Sequence, residues 1–252
     1  MYHNRIIPCL LLDGQDLVKT INFENRKYLG DPINAVKIYN DSEVDELIIL
    51  DINATRENRG PDFSYLEKIT QQCFMPICYG GGVKNIEDVR HLFEIGFEKV
   101  SVNSALKNSY ELLQQSAEIF GSQSIVGAID IRTKRDGKRI YFNNGREKSF
   151  INPIEHVKNI EKNGAGEILI NSIDRDGCMN GYDLELISDI SRSVGIPIIA
   201  CGGAGSLSDC KKAIEAGASA AAAGSLFVYW GRKHAVLINY PESEEIDSAL
   251  QN

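Results

Sequence analysis

Asp130 closes the apolar run 125–129. A carboxylate that ends such a run stands where a buried strand gives way to a loop, and there it can give or take a proton. A cap or turn aspartate is the structural alternative. Asp51 follows the run 47–50, and Asp174 and Asp176 follow 168–170, so three further carboxylates occupy similar places. Lys19 falls in a long loop after the first run and would bring a cation over them. Two glycine turns, Gly80-Gly81-Gly82 and Gly202-Gly203-Ala204-Gly205, follow the third and seventh runs. Two small-residue segments, Asn103-Ser104-Ala105 and Ala223-Gly224-Ser225, close the fourth and eighth. Glycine lets a backbone come close to a ligand, and N–H groups opening a helix, helped by a serine hydroxyl, cradle a phosphate. One such turn is ordinary, but two at corresponding places imply a ligand with a phosphate at each end. A separate set, Arg5, Glu46, Lys99 and Glu167, immediately precedes four of the runs. Alternating charges can satisfy one another where isolated ones are costly to bury. Such a ring is either an ion network that closes one end of the fold or a gate for a small neutral molecule.

These residues need a scaffold that brings run ends together. The apolar runs are 6–12, 47–50, 76–79, 100–103, 125–129, 168–170, 196–200 and 220–223, with amphipathic stretches between them, clearest at 62–72, 85–95 and 207–216. Asn85 and Ser208 are candidate helix caps. Short continuous apolar runs suit strands buried on both faces of a parallel sheet. Eight such units in this length predict an α/β fold, a (β/α)8 TIM barrel, in preference to an open doubly wound sheet. Its chemistry would sit at the C-terminal mouth, and conservation of structure at the opposite face. Residues 76–96 laid over 197–217 are identical at Pro76/Pro197, Ile77/Ile198, Gly81/Gly202, Gly82/Gly203, Asp88/Asp209, Glu94/Glu215 and Gly96/Gly217. Chance gives about one or two matches, so the repeat predicts two fused half-barrels. With no linker between the halves, residues 1–252 read as a single domain. A hairpin is expected as an insertion at about 134–148, around Asp136-Gly137 and Asn144-Gly145. The segment 230–252 reads as atypical and without a convincing eighth helix.

The chain of 252 residues is 43% hydrophobic and 25% charged, with net charge −8, and it has no long basic run. That argues against nucleic acid as a partner. No run of apolar residues is long enough to span a membrane, and the N-terminal apolar stretch reads as a strand and not a signal peptide. The six cysteines, Cys9, Cys73, Cys78, Cys178, Cys201 and Cys210, form no CxxC pair and the histidines are scattered. A cytoplasmic protein with reduced thiols, no metal and no cofactor is the expectation.

Taken together, RIIPCL, NFEN and GDP in the first loop, DELIILDI, YGGGV, KVSVNSA, FGSQ, AID, GAGEILINSIDRDG, GYD and IIACGGAG resemble the family of cyclase subunits of imidazole glycerol phosphate synthase. The similarity runs from Arg5 to about Phe227. It implies one subunit of a glutamine amidotransferase, with a separate glutaminase docked on the N-terminal face of the barrel. Ammonia would pass the gate residues Arg5, Glu46, Lys99 and Glu167 and meet a ribulosyl bisphosphate nucleotide at the far mouth. The products would be imidazole glycerol phosphate and an aminoimidazole carboxamide ribotide, in histidine biosynthesis. The resemblance places phosphate contacts at Gly82, Asn103 and Ser104 on one side, and at Gly177, Gly203, Gly224 and Ser225 on the other; the glycine turns themselves add Gly81 and Ala204. It assigns catalysis to Asp130 and Lys19.

One departure stands out. The family's first catalytic aspartate, at the end of strand one, is Leu11 here, with Asp13 the nearest substitute. The family's threonine at the end of strand six is Asn171, and its C-terminal helix looks replaced. Leu11 and the tail are similar to paralogues encoded with surface-sugar genes, in which the barrel is thought to hand ammonia to a third, sugar-amidinating enzyme. A sugar-phosphate isomerase on related half-barrels is a further reading, though it needs no charged ring.

Overall fold

The computed structural model describes residues 4–135, 137–231 and 233–251. Strands β1 (Arg5–Asp13), β2 (Leu47–Asp51), β3 (Ile77–Gly80), β4 (Lys99–Val102), β5 (Ile125–Lys134), β6 (Glu167–Ser172), β7 (Ile198–Cys201) and β8 (Ala220–Ala223) pair in parallel in chain order. Arg5–Pro8 of β1 pair with β8, and Cys9–Leu12 pair with β2. The β5–β6 pairing, Glu167 opposite Val126, completes the ring. The result is a closed (β/α)8 barrel, as the run pattern predicts.

Alternation along each strand divides the apolar residues in two. In β1, Ile6, Leu10 and Leu12 face the helices, while Ile7, Cys9 and Leu11 face the barrel axis. Helices α1 (Pro32–Asp41), α2 (Phe63–Thr70), α3 (Ile86–Glu94), α4 (Glu111–Phe120), α5 (Pro153–Lys162), α6 (Leu184–Ser191) and α7 (Leu207–Glu215) cover the outside. Among the described residues no helix is long and apolar enough to cross a membrane.

The repeat is visible in the local geometry. Asn85 caps α3 by accepting from Asp88 N at 2.8 Å, and Asp88 Oδ2 accepts from Lys84 N at 2.9 Å. Ser206 and Asp209 make the same pair of bonds at α7, at 3.2 and 3.1 Å. The cap of α7 is therefore Ser206, not Ser208, because the helix begins one residue before Ser208.

Two expectations are corrected. The long loop assigned to Lys19 is an antiparallel hairpin, Asp16–Ile21 against Glu24–Gly30, continuing from β1 through a turn at Gly14. A second hairpin grows directly from β5, which extends to Lys134 and pairs with Gly137–Phe142. Asp136 of that turn lies outside the described residues. In the tail, a short helix α8 (Ser225–Val228) is followed by α9 (Ser243–Gln251), which packs on α7 with Ile246 buried. Its apolar positions are too few among acidic residues for periodicity to reveal it.

Candidate active site at the barrel mouth

Two cavities open at the C-terminal mouth. The larger, a cleft of about 860 Å3, is lined by Gly81, Gly82, Asn103, Ser104 and Asp130. The smaller, about 340 Å3, is lined by Lys19, Gly177, Gly203, Ala204, Gly224 and Ser225. Leu11, Asn171 and Asp176 wall both. The glycines and serines expected as phosphate contacts thus line two adjoining hollows with a common partition, while Gly205 at the end of its turn lies outside both. The glycines are required there. Gly81, Gly82, Gly177 and Gly203 all have positive φ. A Cβ on Gly203 would lie 2.2 Å from Gly181 O, and one on Gly177 2.1 Å from Thr20 O.

Several polar atoms at this place are buried without a protein partner: Asn103 Oδ1, Asn171 Oδ1 and Ser225 Oγ. Buried polar groups are normally satisfied, so orphans gathered around one pair of hollows suit a polar ligand. Replacing Ser225 by Ala should leave thermal stability unchanged. It should weaken binding of a bisphosphate ligand by about ten- to a hundredfold, the worth of a hydrogen bond to a charged group; calorimetric titration measures it.

Asp130 ends the inward-facing row of β5. Its Oδ2 accepts from Asn103 Nδ2 at 2.7 Å. Burial pushes the carboxyl up to about 7, against the Asn103 hydrogen bond and with a contribution from Asp176. It is thus poised to hold or release a proton near neutrality. Lys19, buried on its hairpin strand, sets Nζ 3.6 Å from Asp176 Oδ1. Burial disfavours its charge, but Asp176 together with the neighbouring Cys9 and Cys201 sulfurs outweighs this and holds the ammonium above its ordinary value. Thr20 Oγ1 donates to Asp176 Oδ2 at 3.0 Å. Thr20 and Asn144 also line the cleft; sequence reading missed both, because each lies in a segment recognisable only as loop or turn.

Other candidates are committed to protein partners. Asp51 lines the cleft too, but it is gripped by Arg59 Nη1 and Nη2 at 2.8 and 3.0 Å and accepts from Asn53 N and Ala54 N, which fixes the loop after β2. Asp174 accepts from Thr133 N at 2.7 Å and so braces the second hairpin. Asp13 does not reach either hollow. It is bound by Asn53 Nδ2 and ion-paired with Arg26, in a neighbouring cavity. The strand continues straight past the mouth into the hairpin, which carries Asp13 beyond the partition where Leu11 stands. Among the described residues no group of His, Cys, Asp and Glu could hold a metal ion.

At the opposite end the four charges meet. Arg5 bridges Glu46 and Glu167, and Lys99 Nζ reaches Glu46 at 3.0 Å and Glu167 at 2.7 Å, closing a ring of alternating sign. Between ring and mouth the axis is packed with small or apolar side chains, including Ile7, Cys9, Cys78, Ala128, Cys201, Ala220 and Ala222.

The family described as "Histidine biosynthesis protein" matches residues 5–232. A Pseudomonas aeruginosa protein provisionally named imidazole glycerol phosphate synthase subunit hisF2 is 47% identical over 249 residues, covering 98% of this chain and 99% of its own length. A Vibrio vulnificus protein provisionally named subunit hisF3 is 44% identical, covering 100% of this chain and 98% of its own. The imidazole glycerol phosphate synthase subunit HisF of Clostridium botulinum strain Kyoto is 44% identical over 230 residues, covering 90% of this chain and 91% of its own. Matched along nearly its whole length and carrying the barrel just described, this chain belongs to the histidine biosynthesis protein family, in the company of the HisF-type synthase subunits.

Proposed function

We propose that this barrel is the ammonia-using cyclase subunit of an imidazole glycerol phosphate synthase. It would take a ribulosyl bisphosphate nucleotide across its mouth and release imidazole glycerol phosphate and an aminoimidazole carboxamide ribotide. The observation that carries this reading is the pair of glycine-lined hollows sharing one wall, with Asp130 in one and Lys19 in the other. Asp130, at about 7, exchanges the proton during ring closure. Lys19 adds a cation beside the second phosphate. The glycine turns give their backbones, and Asn103, Ser104 and Ser225 their side chains, to the two ends of the ligand. The test is turnover of that nucleotide with ammonium salts and purified protein alone; none detectable would overturn the proposal.

The relatives are named as subunits of a synthase, which supports a partner subunit; in this reading it is a glutaminase docked where the charged ring lies. Glutamine-derived ammonia would cross the ring and the dry axis behind it. Replacing Lys99 by Met leaves two buried carboxylates to one arginine, and breaking a buried pair costs about 3–5 kcal/mol; with Lys99 partly exposed, a loss nearer 2 is expected. Glutamine-driven turnover should fall at least about tenfold relative to ammonium-driven turnover. Equal losses in the two assays would make the ring purely structural.

Leu11 favours a second reading. An apolar side chain at the partition leaves Asp130 without an uncommitted carboxylate partner, because the cleft's other carboxylates, Asp51 and Asp176, are held by Arg59 and by Lys19 and Thr20. A barrel of this kind could retain ammonia delivery while losing cyclisation, and would pass the ammonia to a third, sugar-amidinating enzyme. Activation of a glutaminase without any consumption of the nucleotide would identify this case.

A further inference from the structure

A third cavity adjoins the mouth cleft, with about 930 Å3 of open space. It shares Thr20, Phe23, Ile52 and Asn144 with the cleft, so the two lie side by side with these residues between them. Three arginines and three carboxylates line it: Arg26, Arg56 and Arg146 with Asp13, Glu24 and Glu57. Pairing is uneven. Arg26 is committed to Asp13. Glu57 is held at 2.8 Å by Arg59, which belongs to the Asp51 loop and not to this cavity. What remains is Glu24 against two guanidiniums. Arg56 meets no carboxylate: its Nη1 donates to Asn53 Oδ1 at 3.2 Å. The side chain of Arg146 has no partner among the described residues. Asn53 is buried, and its other end donates to Asp13, so the Arg56 guanidinium is positioned by a fixed amide. In a chain of net charge −8, two guanidiniums free of carboxylates on one cavity wall give a fork geometry that matches an oxyanion.

We propose that this cavity is a third anion subsite, for a carboxylate or phosphate group, beyond the two hollows at the rim; the proposal rests on the reading of the mouth as the ligand site. The anion is either part of the molecule in the cleft or a separate small effector. The full-length protein should be titrated calorimetrically with inorganic phosphate. Wild type should take up three phosphates, and the Arg56→Gln, Arg146→Gln double variant two. Both arginines are exposed and outside any carboxylate pair, so the variant should fold as wild type, checked by its melting profile. A parallel titration with the bisphosphate nucleotide separates the sources. A loss of affinity of about tenfold or more in the double variant places the anion on the same ligand. Unchanged nucleotide affinity with one phosphate lost places it on a separate effector. Two phosphates in both proteins, or three in both, would overturn the subsite. Neither result touches the cyclase reading, which fails only if the rim hollows bind nothing or turnover is absent.

Discussion

Exchanging Asp130 for Asn is expected to slow ammonium-driven turnover by about a thousandfold, the usual worth of a positioned acid or base. The same change should make the fold more stable above neutrality. The substitution keeps shape and leaves the neighbour Asn103 in place, so its effect is confined to the proton. Burial holds this carboxyl at about 7, where an unfolded chain would show an ordinary value near 4. Between those values the folded state binds a proton that the unfolded state has released. Stability therefore falls as pH rises through this window, and above it the penalty is complete. Asparagine escapes the penalty. The variant should gain on the order of 2–4 kcal/mol near pH 8, discounted for partial exposure, and nothing near pH 4. Urea unfolding at the two pH values measures this. A loss of stability near pH 8 would contradict the buried-carboxylate picture. In the pH–rate profile, the wild type should show an inflection near 7 that the variant lacks.

Replacing Leu11 by Asp should raise ammonium-driven turnover by about a hundredfold or more, since a second carboxylate would divide acid and base duty with Asp130. Leu11 bounds both hollows, opposite strands that carry Asn171 and Asp130. A carboxylate there faces the reacting centre, unlike Asp13, which is occupied by Asn53 and Arg26. The exchange should also destabilise the barrel by about 1–3 kcal/mol, because Leu11 is only 6% exposed and packs within the axial core. Steady-state rates and urea midpoints read the two effects separately. A destabilised protein with unaltered turnover would show that position 11 is not what limits the chemistry.

The barrel was legible because its strands are buried on both faces and so appear as uninterrupted apolar runs. The repeat added the pairing of the glycine turns, and the structure places those turns in corresponding positions. Charge type before each strand was enough to find the ring, since strand starts in a closed parallel barrel converge on one end. The first hairpin was hidden: the strand Glu24–Gly30 is almost wholly exposed and carries no alternation toward a core. Its turn at Asn22 and Phe23, both at positive φ, has no glycine to mark it. Lys19 was therefore placed near the mouth but on the wrong kind of element. The helix α9 was hidden for the opposite reason, an acidic surface over a single buried isoleucine. The neighbouring arginine-bearing cavity could not be read at all, because Arg56 and Arg146 come together only when the loop after β2 meets the second hairpin.

The two hairpins grow from β1 and β5, on opposite sides of the mouth, and they touch. Arg132 Nη2 donates to Asn22 O at 3.3 Å, and the Phe23 ring packs against the backbone of Gly145. They form a clasp over the doorway. A ligand spanning the rim would lie beside this contact, and where the arms have to part for entry or release, that motion and not the bond rearrangement would set the pace of the cycle.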